Sequence, residues 1–94
     1  MIDEHNFMQA VYDLVEGRPK RRTSGEEIMR QLGLKPSALM DLDKNLTTDD
    51  DLRYRALARS CYQAGYIKHG AGRGGSYSWV RITDRGIDYV EGGE

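Results

Sequence analysis

A cluster of glycines between two short strand-like segments constrains the fold of this chain more than any other feature. Glycines crowd the stretch from Gly70 to Gly75, which is flanked by Tyr66–His69 and by Ser76–Thr83. In the second flank the period of a strand places Val80 and Ile82 on one face and Tyr77, Trp79 and Arg81 on the other. Glycine adopts positive φ without steric cost, so the cluster suits the tip of a hairpin. The sequence therefore predicts two antiparallel strands joined by a flexible tip, with Val80 and Ile82 on the inner face.

Apolar residues recur at helical spacing before and after this hairpin. Gly17 and Pro19 stop the first helix, because proline cannot continue it. Ser24 and Glu27 have the spacing of a capping box, in which the serine oxygen accepts the glutamate amide and the glutamate side chain reaches back. Helices are thus predicted over Asp3–Glu16, Ser24–Gly33 and Thr48–Gly65, with a short last helix starting near Thr83.

One compact domain over residues 1–94 is expected. The 94 residues are 38% hydrophobic, enough for one modest core and too few for two. The stretch Leu34–Thr47 has no clear period and is predicted to be an enlarged loop or a short extra helix. Residues 92–94 are expected to form a flexible tail.

The order helix, strand, glycine-rich tip, strand, helix resembles the second half of a winged helix-turn-helix domain. The resemblance is carried by A-G-Y-I at Ala64–Ile67, by the glycine tip, and by I-T-D-R-G at Ile82–Gly86. It implies a small α+β winged-helix domain: a three-helix core, a two- or three-stranded antiparallel β wing and a short C-terminal helix. The long link at Leu34–Thr47 departs from the family, where only a few residues join the second and third helices.

The family mostly binds DNA, so the resemblance implies a small DNA-binding protein, a transcriptional regulator whose third helix enters the major groove. Five residues of that helix are predicted to face inward: Tyr54, Leu57, Ala58, Cys61 and Ala64. On the far side lie Arg55, Arg59 and Gln63, flanked by Tyr62. Arginine can present two donors to guanine and glutamine can pair with adenine. The alternative is a solvated ladder of ion pairs from Asp51 through Arg55 to Arg59.

Other basic residues are candidates for holding the DNA backbone. Arg73 at the tip of the wing and Lys68 beside it are expected to contact phosphates, with Arg81 nearby. Arg21 and Arg22, in a predicted basic loop over Arg18–Arg22, are expected to reach the flanking backbone. The alternative for that loop is ordinary solvation of its charges.

Two features favour a different function. The formal net charge is −1, and Asp49–Asp51 place three carboxylates where a recognition helix approaches phosphate. The second hypothesis is therefore a winged-helix protein-interaction module that does not bind DNA. Its surface would include Tyr77 and Trp79, which are predicted to share a strand face with Arg81. Cover by the first helix, stacking on a ligand or base, and pairing into a homodimer are the three explanations for these aromatic residues.

No catalytic or cofactor motif is present, so the chain is not expected to be an enzyme. The tip glycines match G-x-G-x-x-G, but they precede a strand instead of opening a helix, so no nucleotide cofactor is expected. His5 and His69 are far apart and are expected to be solvated surface groups, and one cysteine cannot form a zinc site. Cys61 is expected to be buried among apolar residues.

Neither a secretory leader nor an apolar run of membrane-spanning length occurs in the sequence. The expected location is therefore the cytoplasm, with no membrane contact. Double-stranded DNA is the expected partner, and a homodimer or protein partner at the face of Tyr77 and Trp79 is the alternative.

Overall fold

The computed structural model describes residues 2–35, 49–72 and 75–92. These residues form a small α+β domain with four helices and a three-stranded antiparallel sheet, an architecture compatible with a winged helix. The elements are α1 (Glu4–Val15), β1 (Arg22–Ser24), α2 (Gly25–Gln31), α3 (Asp49–Gln63), β2 (Ile67–Gly72), β3 (Gly75–Ile82) and α4 (Asp84–Val90). Of the predicted loop or extra helix at Leu34–Thr47, only Leu34 and Lys35 are among the described residues. Thr48, Arg73 and the tail beyond Gly92 also lie outside them.

The sheet contains a strand that the sequence did not indicate. Arg22–Ser24 forms β1, which pairs with β3 at the sheet's centre, in the order β1-β3-β2. The prediction that Arg22 belongs to a basic loop is therefore wrong. Three residues are too few for an alternating pattern to be visible, and the strand exists because β3 offers a free edge beside it. Its central residue, Thr23, is buried on the same side as Val80.

The helix boundaries follow local hydrogen bonding. Asp3 and Asn6 form a reciprocal capping box at the start of α1, a capping box absent from the predictions. At α2 the Ser24 hydroxyl oxygen accepts from the Glu27 amide at 3.2 Å, as predicted. The second hydrogen bond of a capping box would run from the Ser24 backbone amide to the Glu27 carboxylate, and that part of the prediction is wrong. The Glu27 carboxylate instead accepts from the Ser24 hydroxyl at 3.5 Å. Ser24 is also the last residue of β1, so its backbone is held in the sheet.

The hairpin is longer than predicted. β2 continues through Gly72 and β3 begins at Gly75, and these two glycines face each other across the ladder. The predicted tip over Gly70–Gly75 is therefore wrong at both ends, because strand pairing uses backbone groups that glycine also has. A register shift lies between Gly70 and Gly72.

All seven elements surround one hydrophobic core. The predicted inward stripe of α3 is confirmed at Tyr54, Leu57, Ala58 and Cys61, and Val80 and Ile82 are buried as predicted. Ile87, Tyr89 and Val90 of α4 are half-buried and pack against this core. Its other buried members are Phe7, Met8, Ala10, Val11, Val15, Ile28, Met29, Leu34 and Ile67.

The core makes the domain sensitive to alkali. Burial raises the pKa of the Cys61 thiol to about 12, with the Glu4 carboxylate adding to the effect. Burial also raises the pKa of the Tyr54 hydroxyl. Both groups fold in their neutral forms, so their contribution to stability is complete below the unfolded-state pKa. It is lost as pH rises, for Cys61 between about 9 and about 12.

We expect the free energy of unfolding to fall above pH 9, by up to about 1.4 kcal/mol per pH unit for each titrating group. Urea unfolding at a series of pH values from 8 to about 11 measures this slope. Cys61→Ala, whatever its stability at pH 8, should have a shallower slope above pH 9. An identical slope in both proteins would contradict the assignment to Cys61.

Candidate nucleic-acid interface

The outward side of α3 carries part of the predicted base-reading set. Arg59 and Gln63 are exposed and lie one helical turn apart. Arg55 is half-buried. Its Nε is enclosed and has no hydrogen-bond partner in the described part of the chain. Asp51, one turn before Arg55, is fully buried. Arg55 therefore lies on the flank of the helix that turns toward the fold, and the predicted row of three is reduced to two outward residues.

The alternative for these residues was a ladder of ion pairs from Asp51 through Arg55 to Arg59, and the described structure does not contain it. Arg55 and Arg59 take part in no ion pair within residues 2–35, 49–72 and 75–92. The Asp51 side chain is buried in the fold instead of lying on the solvated face. Arg59 and Gln63 therefore present their donors to solvent and are available to a ligand.

The acidic start of α3 is largely turned inward. Asp51 is buried, and Asp50 is half-buried with its carboxylate accepting the Lys35 amide at 2.8 Å. Asp49 is exposed. Carboxylates near the first turn also interact favourably with the helix dipole. Of the three carboxylates, that of Asp49 alone is exposed, so fewer than three would meet a phosphate backbone directly.

An aromatic cluster joins the end of α3 to the hairpin. The His69 ring contacts Tyr62 edge-on, with centroids 4.5 Å apart, and Tyr77 at 4.3 Å. His69 is half-buried, and its Nδ1 is enclosed without a partner among the described residues. The prediction of a solvated His69 is therefore wrong, whereas His5 is exposed as predicted. Tyr62 remains 47% exposed on the flank of the helix.

Strand register assembles a row of three cations on the outer face of the sheet. Arg22 of β1 and Lys68 of β2 both pair with Arg81, which lies between them on β3. Neighbouring strands are about 4.8 Å apart, so this cation row spans about 10 Å. Arg22 and Lys68 were predicted to contact the DNA backbone separately, and the fold places them in one row. Arg81 was expected to lie near Lys68, and its position between two other cations depends on β1.

Trp79 lies beside the cation row. The guanidinium carbons of Arg22 and Arg81 are 5.1 and 5.4 Å from the centroid of its ring, within cation–π range. The indole also covers Gly70, where a β-carbon would lie 2.0 Å from the ring. Two guanidinium groups therefore accompany this ring. Trp79 alternates with the buried Val80, so it lies on the sheet face opposite the core, and cover by the first helix, one of the three explanations, does not hold for it.

Tyr77 and Trp79 do not share a face. Tyr77 has a left-handed backbone, with φ of 68°. Its carbonyl accepts the Tyr54 hydroxyl at 2.7 Å, and its ring packs toward the core against His69. A positive φ interrupts the strict alternation of a strand, so the spacing of two residues no longer places both rings on one side. The proposed partner surface of Tyr77 and Trp79 is therefore split between the two faces of the sheet.

The remaining predicted contacts are less favourably placed. Arg21 forms an ion pair with Glu16, so a ligand would have to compete for its charge. Arg73 lies outside the described residues. Among those that are described, no group of three or more His, Cys, Asp or Glu side chains could hold a metal ion. None of the described helices combines the length and apolar character needed to cross a bilayer.

The chain matches no protein-family model, and no curated protein or solved structure is similar to it at a significant level. Two surfaces of the described structure are candidates for binding a ligand. These are the outward side of α3, with Arg59 and Gln63, and the outer face of the sheet, with the cation row and Trp79.

Proposed function

We propose that this protein binds double-stranded DNA and regulates transcription, with α3 in the major groove and the hairpin toward the backbone. The observation that carries the proposal is the outward side of α3. It presents Arg59 and Gln63 one turn apart, exposed and outside any ion pair in the described part of the chain. The α+β architecture supports it, because a helix followed directly by a β-hairpin is the arrangement with which winged-helix domains contact DNA.

The chemistry of the two side chains fits base recognition. An arginine can donate two hydrogen bonds to the O6 and N7 of guanine, and a glutamine can pair with the N6 and N7 of adenine. Side chains four residues apart on a helix are about 6 Å apart at Cβ, and successive base pairs are about 3.4 Å apart along the duplex. Arg59 and Gln63 therefore suit bases one or two steps apart.

The charge distribution predicts modest affinity for DNA of arbitrary sequence. With a formal net charge of −1, the protein has no general attraction to phosphate, and only its local basic groups contribute. Each phosphate neutralised adds about 0.9 to the slope of log affinity against log salt. We expect a slope of only a few units, so sequence readout by α3 must supply much of the binding.

The first experiment measures binding to a mixed-sequence duplex of about 20 base pairs across a salt series, followed by selection of a preferred site from a random pool. At the selected site Arg59→Ala should cost about 1–3 kcal/mol and relax the preference at one base pair. Arg30→Ala is the matched control. It removes the same charge from α2, where Arg30 pairs with Glu26, and should leave affinity nearly unchanged.

Equal losses in the two variants would mean that Arg59 acts only through its charge, and this would remove its role in base readout. Absence of duplex binding even at low salt would reject the proposed function. Either result is distinguishable from misfolding if each variant keeps the circular dichroism and melting temperature of the parent protein.

A protein-binding module is the second candidate. The two sequence features that favoured this function carry less weight in the fold. The acidic start of α3 is largely turned inward, and Tyr77 and Trp79 lie on different faces of the sheet. Two large apolar side chains on α3 favour such a module instead, because Leu52 is 56% exposed and Tyr62 is 47% exposed. A homodimer in solution that Leu52→Asp dissociates, together with absent DNA binding, would favour this function.

A further inference from the structure

We infer that the outer face of the sheet is a separate site for single-stranded nucleic acid. Phosphates would lie along the cation row of Arg22, Arg81 and Lys68, and an unpaired base would stack on Trp79. This inference concerns a different surface from α3 and does not depend on duplex binding there.

The cation row is unfavourable for the fold itself. Like charges directly opposite each other on neighbouring strands are destabilising, and this row places two such pairs side by side. No carboxylate forms an ion pair with any of the three within the described ranges. The indole of Trp79 offsets part of the repulsion through its negatively polarised face. An anionic ligand would offset the rest, so the row is charge-complementary to a phosphate backbone.

The surface beside the cation row forms a groove lined by further basic residues. Lys68 and Arg81 also line this groove of about 470 Å³, whose rim carries two more cations, Lys20 and Arg85. The remaining lining residues are Pro19, Ile82, Thr83 and Asp84. Four basic groups against one carboxylate make this groove strongly positive. A flexible backbone that follows it would bring successive phosphates past the row and into the groove.

Trp79 would distinguish a single strand from a duplex. Only glycine at position 70 lets the indole lie directly on β2, and this contact holds the ring in place on the sheet. In a duplex the bases are stacked on each other, so an aromatic ring beside the backbone has no base to contact. In a single strand every base offers a face for stacking, and aromatic rings on sheets surrounded by cations bind such bases.

The two surfaces are separate because they lie on opposite sides of the sheet. Thr23, Val80 and Ile82 point into the core that α3 covers. Arg22 and Arg81 alternate with them along β1 and β3, so they point away from the helices. Substitutions on one surface can therefore test it without removing a contact of the other.

The test uses a fluorescein-labelled oligothymidylate of about 15 nucleotides, which cannot form a duplex with itself. Trp79 is the chain's only tryptophan, so its fluorescence reports directly on the proposed stacking. We expect low-salt binding that quenches this fluorescence. Trp79→Leu should weaken binding tenfold or more, while Trp79→Phe should retain most of it. Lys68→Ala, an exposed position that the fold does not need, should weaken binding severalfold and flatten its salt dependence.

Arg59→Ala is the matched control, since it removes one exposed charge from α3 and should leave oligothymidylate affinity unchanged. Equal losses from Arg59→Ala and Lys68→Ala would overturn the separate site. Binding without a change in Trp79 fluorescence would overturn the stacking. Tighter binding of a hairpin duplex than of oligothymidylate, with the same sensitivity to Lys68→Ala, would assign the row to duplex backbone and overturn the inference.

Discussion

Gly86→Ala is expected to lower the free energy of unfolding by about 2–4 kcal/mol. Gly86 is buried in the first turn of α4, and a β-carbon there would lie 2.2 Å from the Tyr66 carbonyl oxygen. It would also lie 2.9 Å from Ile82 Cγ1 and from Met8 Cε. The carbonyl belongs to the backbone and accepts the Thr83 amide, so it cannot move without disturbing the start of α4. The whole helix would have to shift outward.

The sign of this effect is informative. On propensity alone, alanine is better than glycine in a helix by about 1 kcal/mol, so a solvated site would be stabilised. Thermal unfolding should instead show a decrease of about 10–25 °C, given about 4–8 °C per kcal/mol in a domain of this size. Gly33→Ala is a useful comparison. Gly33 has φ of +78° but no atom within 4 Å of a β-carbon, so only backbone strain is expected there. A Gly86→Ala protein as stable as the parent would contradict the close packing of α4.

Tyr54→Ala is expected to have the largest effect, a loss of about 3–5 kcal/mol. Tyr54 is 1% exposed, contacts the Phe7 ring, and donates its hydroxyl to the Tyr77 carbonyl at 2.7 Å. A β-carbon at Gly25 would lie 2.8 Å from the same hydroxyl. The side chain therefore joins α3, the start of α2 and β3 at one point. Small domains are stable by only about 5–15 kcal/mol, so this loss approaches unfolding.

Tyr54→Phe separates the hydroxyl from the ring. It keeps the packing and removes the donor, which leaves the Tyr77 carbonyl without this partner and should cost about 1–3 kcal/mol in urea unfolding. Tyr62→Phe is the matched control, because the Tyr62 hydroxyl has no hydrogen bond in the described structure and its loss should change stability by less than about 0.5 kcal/mol. Equal stability of the two phenylalanine variants would show that the ring alone matters at position 54.

The helices were predictable because each carries a long apolar stripe and a local boundary signal. Twelve residues of α1 and fifteen of α3 repeat the helical period several times. Ser24 and Thr83 accept amides three residues later, as side chains of their type commonly do. These interactions are local in sequence, so one sequence is enough to show them.

The sheet was less predictable because its contacts are distant in sequence. β1 has three residues and exists only through its pairing with β3, more than fifty positions later. Without β1, Arg22 could not be placed beside Arg81, and the cation row was not foreseen as one surface. The positive φ of Tyr77 likewise occurs where its carbonyl accepts the Tyr54 hydroxyl of α3, a contact that the neighbouring residues do not indicate. The candidate residues were thus found individually, while their grouping required the fold.

The junction between β1 and α2 has a consequence for how precisely the sheet is assembled. Ser24 ends the strand and caps the helix, with no residue between them. A slip of one residue in β1 would turn Arg22 into the core and Thr23 to solvent, since successive side chains of a strand face opposite ways. The same slip would pull the Ser24 hydroxyl away from the Glu27 amide. One slip would therefore lose both the strand register and the helix cap. For this reason the alignment of this short strand is fixed without a turn sequence.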